Sequence, residues 1–125
     1  MTDKQKILIV DDEKGIRGLF VDVLKRAGHT VVTAHDGLAG IEAARGGDID
    51  IIFLDIKMPG INGVEALRQI RSFSPHTKVV MITGYARDEL LNEAMQMDVF
   101  NCLAKPFSVR DVVDLVKMLG SETAN

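Results

Sequence analysis

Apolar positions in this chain follow two rhythms. Unbroken apolar runs at 7–10, 51–54 and 79–82 are rich in β-formers, the pattern of strands buried on both faces. With 30–34 and 99–103 they predict five strands, over 6–10, 30–34, 51–54, 78–82 and 99–103. Between them the apolar residues fall three and four apart, as on one face of a helix. A first helix carries Ile16, Leu19, Phe20, Val23, Leu24 and Ala27 and stops at Gly28, a good left-handed cap. A second carries Leu38, Ile41 and Ala44 and ends at Gly46-Gly47. Asn62 can cap a third, with Val64, Leu67, Ile70 and Phe73 on its face and Pro75 beyond it. A fourth is expected near 87–97, with Leu91, Ala94 and Met95. The fifth opens at Ser108 with Asp111 three residues on, a capping-box spacing. It carries Val109, Val112, Val113, Val116 and Leu119, and a frayed tail is expected from Gly120 to Asn125.

Strands alternating with helices predict an α/β fold: a single doubly wound parallel sheet with helices on both faces and right-handed crossovers. No linker, repeat or low-complexity stretch interrupts it. One domain over 1–125 is expected, with its core at about 6–119. The 46% hydrophobic content excludes a disordered chain. Net charge is -3 and the basic residues are scattered, so no direct nucleic-acid or membrane partner is expected. The apolar runs are too short to span a bilayer, and the first residues lack the apolar stretch of a signal peptide. The single cysteine, Cys102, excludes an internal disulfide and argues against a structural zinc site. A cytoplasmic location fits. The six methionines read as core filler.

The chemistry lies where the strands end. In such sheets ligands bind beyond the carboxyl ends of the strands. Asp11 and Asp12 end the first strand, Asp55 the third and Thr83 the fourth, while Lys105 follows the fifth. Taken singly, these could be a helix cap, a turn residue and a surface lysine. Delivered to one edge, they make a site. Three carboxylates held together repel and raise each other's pKa. One lysine is too little to balance them, and a hard divalent cation is the natural complement. Magnesium takes one or two carboxylates, waters and a phosphate oxygen, and the Lys57 carbonyl is placed to add a ligand. A cation and a lysine around a carboxylate suit phosphoryl transfer, with Asp55 as nucleophile and the Thr83 hydroxyl as hydrogen-bond donor to a phosphoryl oxygen.

The acidic pair Asp11-Asp12, the loop Asp55-Ile56-Lys57-Met58-Pro59-Gly60, Thr83 and Lys105-Pro106-Phe107 together resemble the response-regulator receiver family, which shares the CheY-like, flavodoxin-like fold. The likeness runs from about residue 6 to 119. It implies strand order 2-1-3-4-5, five helices, and a cis peptide before Pro106. It implies that Asp55 accepts a phosphoryl group from a phosphohistidine, on a sensor histidine kinase or a histidine phosphotransfer protein, and so switches an output face. Asp12, Asp55 and the Lys57 carbonyl would hold Mg2+ (or Mn2+), with Asp11 acting through water. On this reading the chain is a phosphoprotein of two-component or phosphorelay signalling. It is not an enzyme in the ordinary sense, although self-phosphorylation and slow self-dephosphorylation are expected. Gly15-Ile16-Arg17, Lys57, Tyr85 and the sequence at 104–107 resemble stand-alone receivers of sporulation-type phosphorelays. The alternative is a receiver cut from a larger DNA-binding regulator. A monomer is expected, with dimerisation on phosphorylation left open and the downstream target undefined.

Two positions depart from the family pattern. Cys102 stands where an aromatic switch residue is usual, and Asp98 where glycine is common. Lys57 and Tyr85, beside Asp55 and Thr83, are expected to shield the acyl phosphate from water. Gly15, Ile16, Leu19, Pro106 and Phe107 are candidates for partner docking. Competing chemistries fit less well. A flavodoxin-like cofactor binder needs a Gly/Ser/Thr-rich phosphate loop after the first strand, where Asp11, Asp12 and Glu13 stand. A haloacid-dehalogenase-type phosphatase places a second acid where Lys57 is, and a P-loop is absent.

Overall fold

A computed structural model of the chain describes residues 4–84 and 89–123. Five strands are present: β1 (Lys6–Val10), β2 (Thr30–Ala34), β3 (Ile51–Asp55), β4 (Lys78–Thr83) and β5 (Asn101–Ala104). They alternate with α1 (Lys14–Arg26), α2 (Gly37–Arg45), α3 (Gly63–Phe73), α4 (Glu89–Met95) and α5 (Val109–Thr123). The strands form one parallel sheet in the order β2-β1-β3-β4-β5. This is the order the family resemblance implied.

The unbroken apolar runs divide residue by residue between the two faces, as the twofold period of a strand requires. Leu8, Val10, Ile52, Leu54, Val79 and Met81 face one core, which α2, α3 and α4 complete. Ile7, Ile9, Ile51, Phe53, Val80 and Ile82 face the other, with Phe20 and Leu24 of α1 and Val112, Leu115, Val116 and Leu119 of α5. Phe20 is fully buried, its ring 4.8 Å from Phe53 and 5.5 Å from Phe107, both tilted. Burial of such a ring contributes roughly 2–3 kcal/mol. It also ties α1 to the chain following β5.

The caps follow the sequence. Asn62 accepts from the Glu65 amide at 3.0 Å. Ser108 and Asp111 exchange reciprocal bonds of 2.9 and 3.1 Å. Gly28 takes φ 96° beyond α1. Asp98, at the position usually held by glycine, takes φ 58°. Aspartate is among the few non-glycine residues that enter the left-handed region readily, so the backbone keeps its path. The Asp98 carbonyl accepts from Arg71 Nη2 at 3.1 Å, which pins the loop to the end of α3.

Several expectations need correction. β5 begins at Asn101, not 99. α5 runs through a buried Gly120 to Thr123 instead of giving way at Gly120, because packing there outweighs glycine's low helix propensity. Leu38, assigned to the buried face of α2, is 62% exposed, and Val109 is 48% exposed. Both sit in first turns, and in α2 the buried positions beside Leu38 are Gly37 and Gly40. Met58 and Met81 fill core, but Met95 and Met118 lie on the surface. Among the described residues no helix is long and apolar enough to cross a membrane.

Candidate functional site

The parallel sheet brings the carboxyl ends of β1, β3, β4 and β5 to one edge. Val10 pairs with Leu54, Asp55 with Ile82, and Thr83 with Ala104. Asp11, Asp55, Thr83 and Lys105 therefore converge although up to 94 residues separate them. The Lys105 amide donates to the Thr83 carbonyl at 2.7 Å, which extends the ladder by one bond and fixes where the lysine departs. The Lys105-Pro106 peptide is cis, as the resemblance implied.

Carboxylate oxygens of Asp11, Asp12 and Asp55 lie within 4.8 Å of one another. Asp11 is fully buried and Asp55 nearly so, while Asp12 is exposed. Asp11 Oδ1 accepts from the Glu13 amide at 2.9 Å, and the Asp11 carbonyl accepts from Arg17 Nη1 at 2.8 Å. Asp11 Oδ2 is buried and accepts no hydrogen bond. The Lys105 ammonium faces it at 3.3 Å and also approaches Asp55 Oδ2 at 3.5 Å and Glu13 Oε1 at 2.8 Å.

The electrostatics follow. Burial pushes the Asp55 carboxyl up to about 7, helped by the Asp11 charge and opposed by Lys105 and by a bond from the Lys57 amide. Burial also raises Asp11, against the bond from Glu13 and the charge of Lys105. Burial would lower Lys105, but its bond to Glu13 and the charges of Asp55 and Asp11 outweigh this and hold the ammonium protonated. The edge is thus short of positive charge. A buried, unbonded carboxylate oxygen among three carboxylates suits a hard cation with oxygen ligands.

Of the candidate docking residues, Ile16, Leu19, Pro106 and Phe107 line one groove of about 360 Å³, together with Glu13 and Lys105. Gly15 is exposed in the first turn of α1 and does not line it. Cys102 is half-buried and packs against the core under α2, α3 and α4. Lys57 is exposed, one residue beyond the buried Ile56. Tyr85 lies outside the described residues.

Sequence reasoning missed two contributors. Glu13 entered the sequence reading only as part of the acidic cluster after the first strand, yet at the N-cap of α1 its side chain makes no capping bond and turns to Lys105. Gly63 opens α3 hard against the end of β3, its amide donating to the Ile56 carbonyl at 2.7 Å. A Cβ at Gly63 would stand 2.3 Å from the Asp55 carbonyl oxygen. The one available signal was a glycine directly after a capping asparagine.

Comparison with known proteins agrees with this geometry. The response regulator receiver domain family matches residues 7–117. Sporulation initiation phosphotransferase F of Bacillus subtilis is 32% identical over 113 residues, covering 90% of this chain and 91% of that protein. The transcriptional regulatory protein ResD of the same species is 36% identical over 118 residues, covering 94% of this chain and 49% of that protein. Among solved structures, a CheY-like response regulator receiver domain protein from Methanospirillum hungatei superimposes with a TM-score of 0.92 at 27% identity, covering 98% of both chains. The family expected from the aspartate pair, the loop after Asp55, Thr83 and Lys105 is the one found: this chain belongs to the response regulator receiver domains of two-component signalling.

Proposed function

We propose that Asp55 is the residue that receives the phosphoryl group. Receiver domains are phosphorylated by histidine kinases or phosphotransfer proteins. The observation that carries the assignment is the buried Asp55 carboxylate at a strand end, with the Lys105 ammonium 3.5 Å from its Oδ2. Attack by that oxygen on a phosphohistidine forms the O–P bond as the P–N bond breaks, and the imidazole leaves with its electron pair. Lys105 would balance charge growing on the phosphoryl oxygens, and Thr83 would donate a hydrogen bond to one of them. Asp12, Asp55 and the Lys57 carbonyl would hold a magnesium ion, with Asp11 behind them. Bound there, the ion supplies neutralising charge to the transferring group. Closure of the surrounding core keeps bulk water from most of the Asp55 side chain.

Incubation with acetyl phosphate and magnesium, followed by intact mass, tests the assignment. One phosphoryl adduct is expected on the wild type and none on Asp55→Asn; equal adduct on both would overturn it. The groove formed by Ile16, Leu19, Pro106 and Phe107 is the proposed seat for the phosphodonor, because it opens beside Lys105. Ile16→Ala is expected to slow transfer from a phosphohistidine protein severalfold and to leave transfer from acetyl phosphate within twofold. Equal loss with both donors would remove the groove from docking.

A further inference from the structure

We propose that Glu13 is a positioning residue that engages the Lys105 ammonium until a phosphoryl group claims it. The inference rests on Asp55 being the acceptor and adds a control on that reaction. Of the three carboxylates around Lys105 Nζ, Glu13 is nearest, at 2.8 Å, against 3.3 Å for Asp11 and 3.5 Å for Asp55. It differs from them in exposure. The Glu13 side chain is 58% exposed, whereas those of Asp11 and Asp55 are 0% and 6%. A solvated carboxylate can leave such a pair at little cost, while the two buried ones cannot regain water.

The rest of Glu13 is held in place. Its amide donates to Asp11 Oδ1, and its carbonyl accepts from the Arg17 amide at 3.1 Å, as the first bond of α1. Only the side chain is free to swing, and it spends no bond on capping the helix. Glu13 also lines the groove with Ile16, Leu19 and Phe107. A protein seated there would touch the carboxylate and could draw it off Lys105, whereas a small donor such as acetyl phosphate must displace it unaided. The arrangement therefore penalises small donors relative to a docked one.

The test uses Glu13→Gln, Lys105→Met and the double variant. Glu13→Gln is expected to take phosphate from acetyl phosphate roughly three- to tenfold faster than wild type. That gain should vanish when Lys105 is methionine. An unchanged rate overturns the proposal. So does a gain that persists in the double variant, since Glu13 would then merely repel the anionic donor. A second measurement needs neither metal nor phosphate: reductive methylation of Lys105 in metal-free protein, read by peptide mass. Glu13→Gln should raise its rate at least threefold, and an equal rate counts against the latch. If wild type forms no adduct at all, the acceptor assignment fails, and the methylation rates still decide the Glu13–Lys105 contact independently.

Discussion

The Asp55→Asn protein, stripped of metal, melts above the wild type at pH 8, and the difference shrinks as the pH is lowered. Asp55 is 4% exposed and shares its pocket with Asp11. Burial and the neighbouring charge hold its folded pKa at about 7, against 3.8 as the ordinary value. Between those two values the folded state keeps a proton that the unfolded chain has released. Stability due to this group is therefore complete below pH 4, falls as the pH rises through the window, and levels off above 7. Asparagine removes the charge and keeps the shape. The gain is limited because Lys105 loses one of three partners, so about 1–3 kcal/mol is expected at pH 8. That corresponds to roughly 4–10 °C for a domain of this size. Magnesium should raise the wild-type melting temperature and move the variant far less. Thermal scans from pH 4.5 to 8, in chelator and in magnesium, would show it. A pH-independent difference, or a less stable variant, would mean that the carboxylate is not stored at a cost.

Gly63→Ala should be the most damaging single methyl in the chain. The added carbon would stand 2.3 Å from the Asp55 carbonyl oxygen and 2.8 Å from Ile56 Cα. Both are backbone atoms, so no rotamer change can relieve the clash. Either α3 lifts from the sheet, with Val64, Leu67 and Ile70 losing their seats, or the end of β3 moves. Overpacking of this kind costs about 3 kcal/mol or more. Denaturant unfolding should show that loss, and the folded fraction should take up phosphate at least tenfold more slowly, because Asp55 is displaced relative to Lys105. Gly18→Ala is the control. Nothing lies within 4 Å of its Cβ position, on an exposed turn of α1, so it should be neutral or stabilising by up to ~1 kcal/mol. Similar stability of the two variants would show that the close approach at Gly63 is soft.

The sheet was legible because a strand buried on both faces leaves an unmistakable trace. In residues 51–54 no polar residue interrupts the run, and each side chain finds a core. The site was legible for a related reason, since parallel strands all end at one edge, and charged residues at strand ends must meet there. Asn62 and Ser108 marked their helices because capping chemistry is local. What escaped was whatever depends on distance in three dimensions. Glu13 and Lys105 are 92 residues apart, and nothing near Glu13 in sequence points to a lysine. The tight contact at Gly63 is made with the strand that ends at Asp55, across a turn whose path the sequence does not reveal. Leu38, Met95 and Val109 were misplaced because periodicity reports where a helix could bury a residue, not whether a neighbour arrives to cover it, and Met118 because residue type alone suggested core. Gly120 failed in the opposite sense: local propensity argued for a stop, but the surroundings of α5 kept the helix going.

The sheet also works as a bulkhead. The two sets of buried side chains on its opposite sides have no member in common. Phe107, at the groove, packs on one side, and Cys102 packs on the other. If the groove seats the phosphodonor as proposed, a lineage can re-tailor it without repacking the compartment around Cys102, and the reverse. Change on one face of the sheet and change on the other are therefore separable, and that leaves one scaffold free to be altered many times.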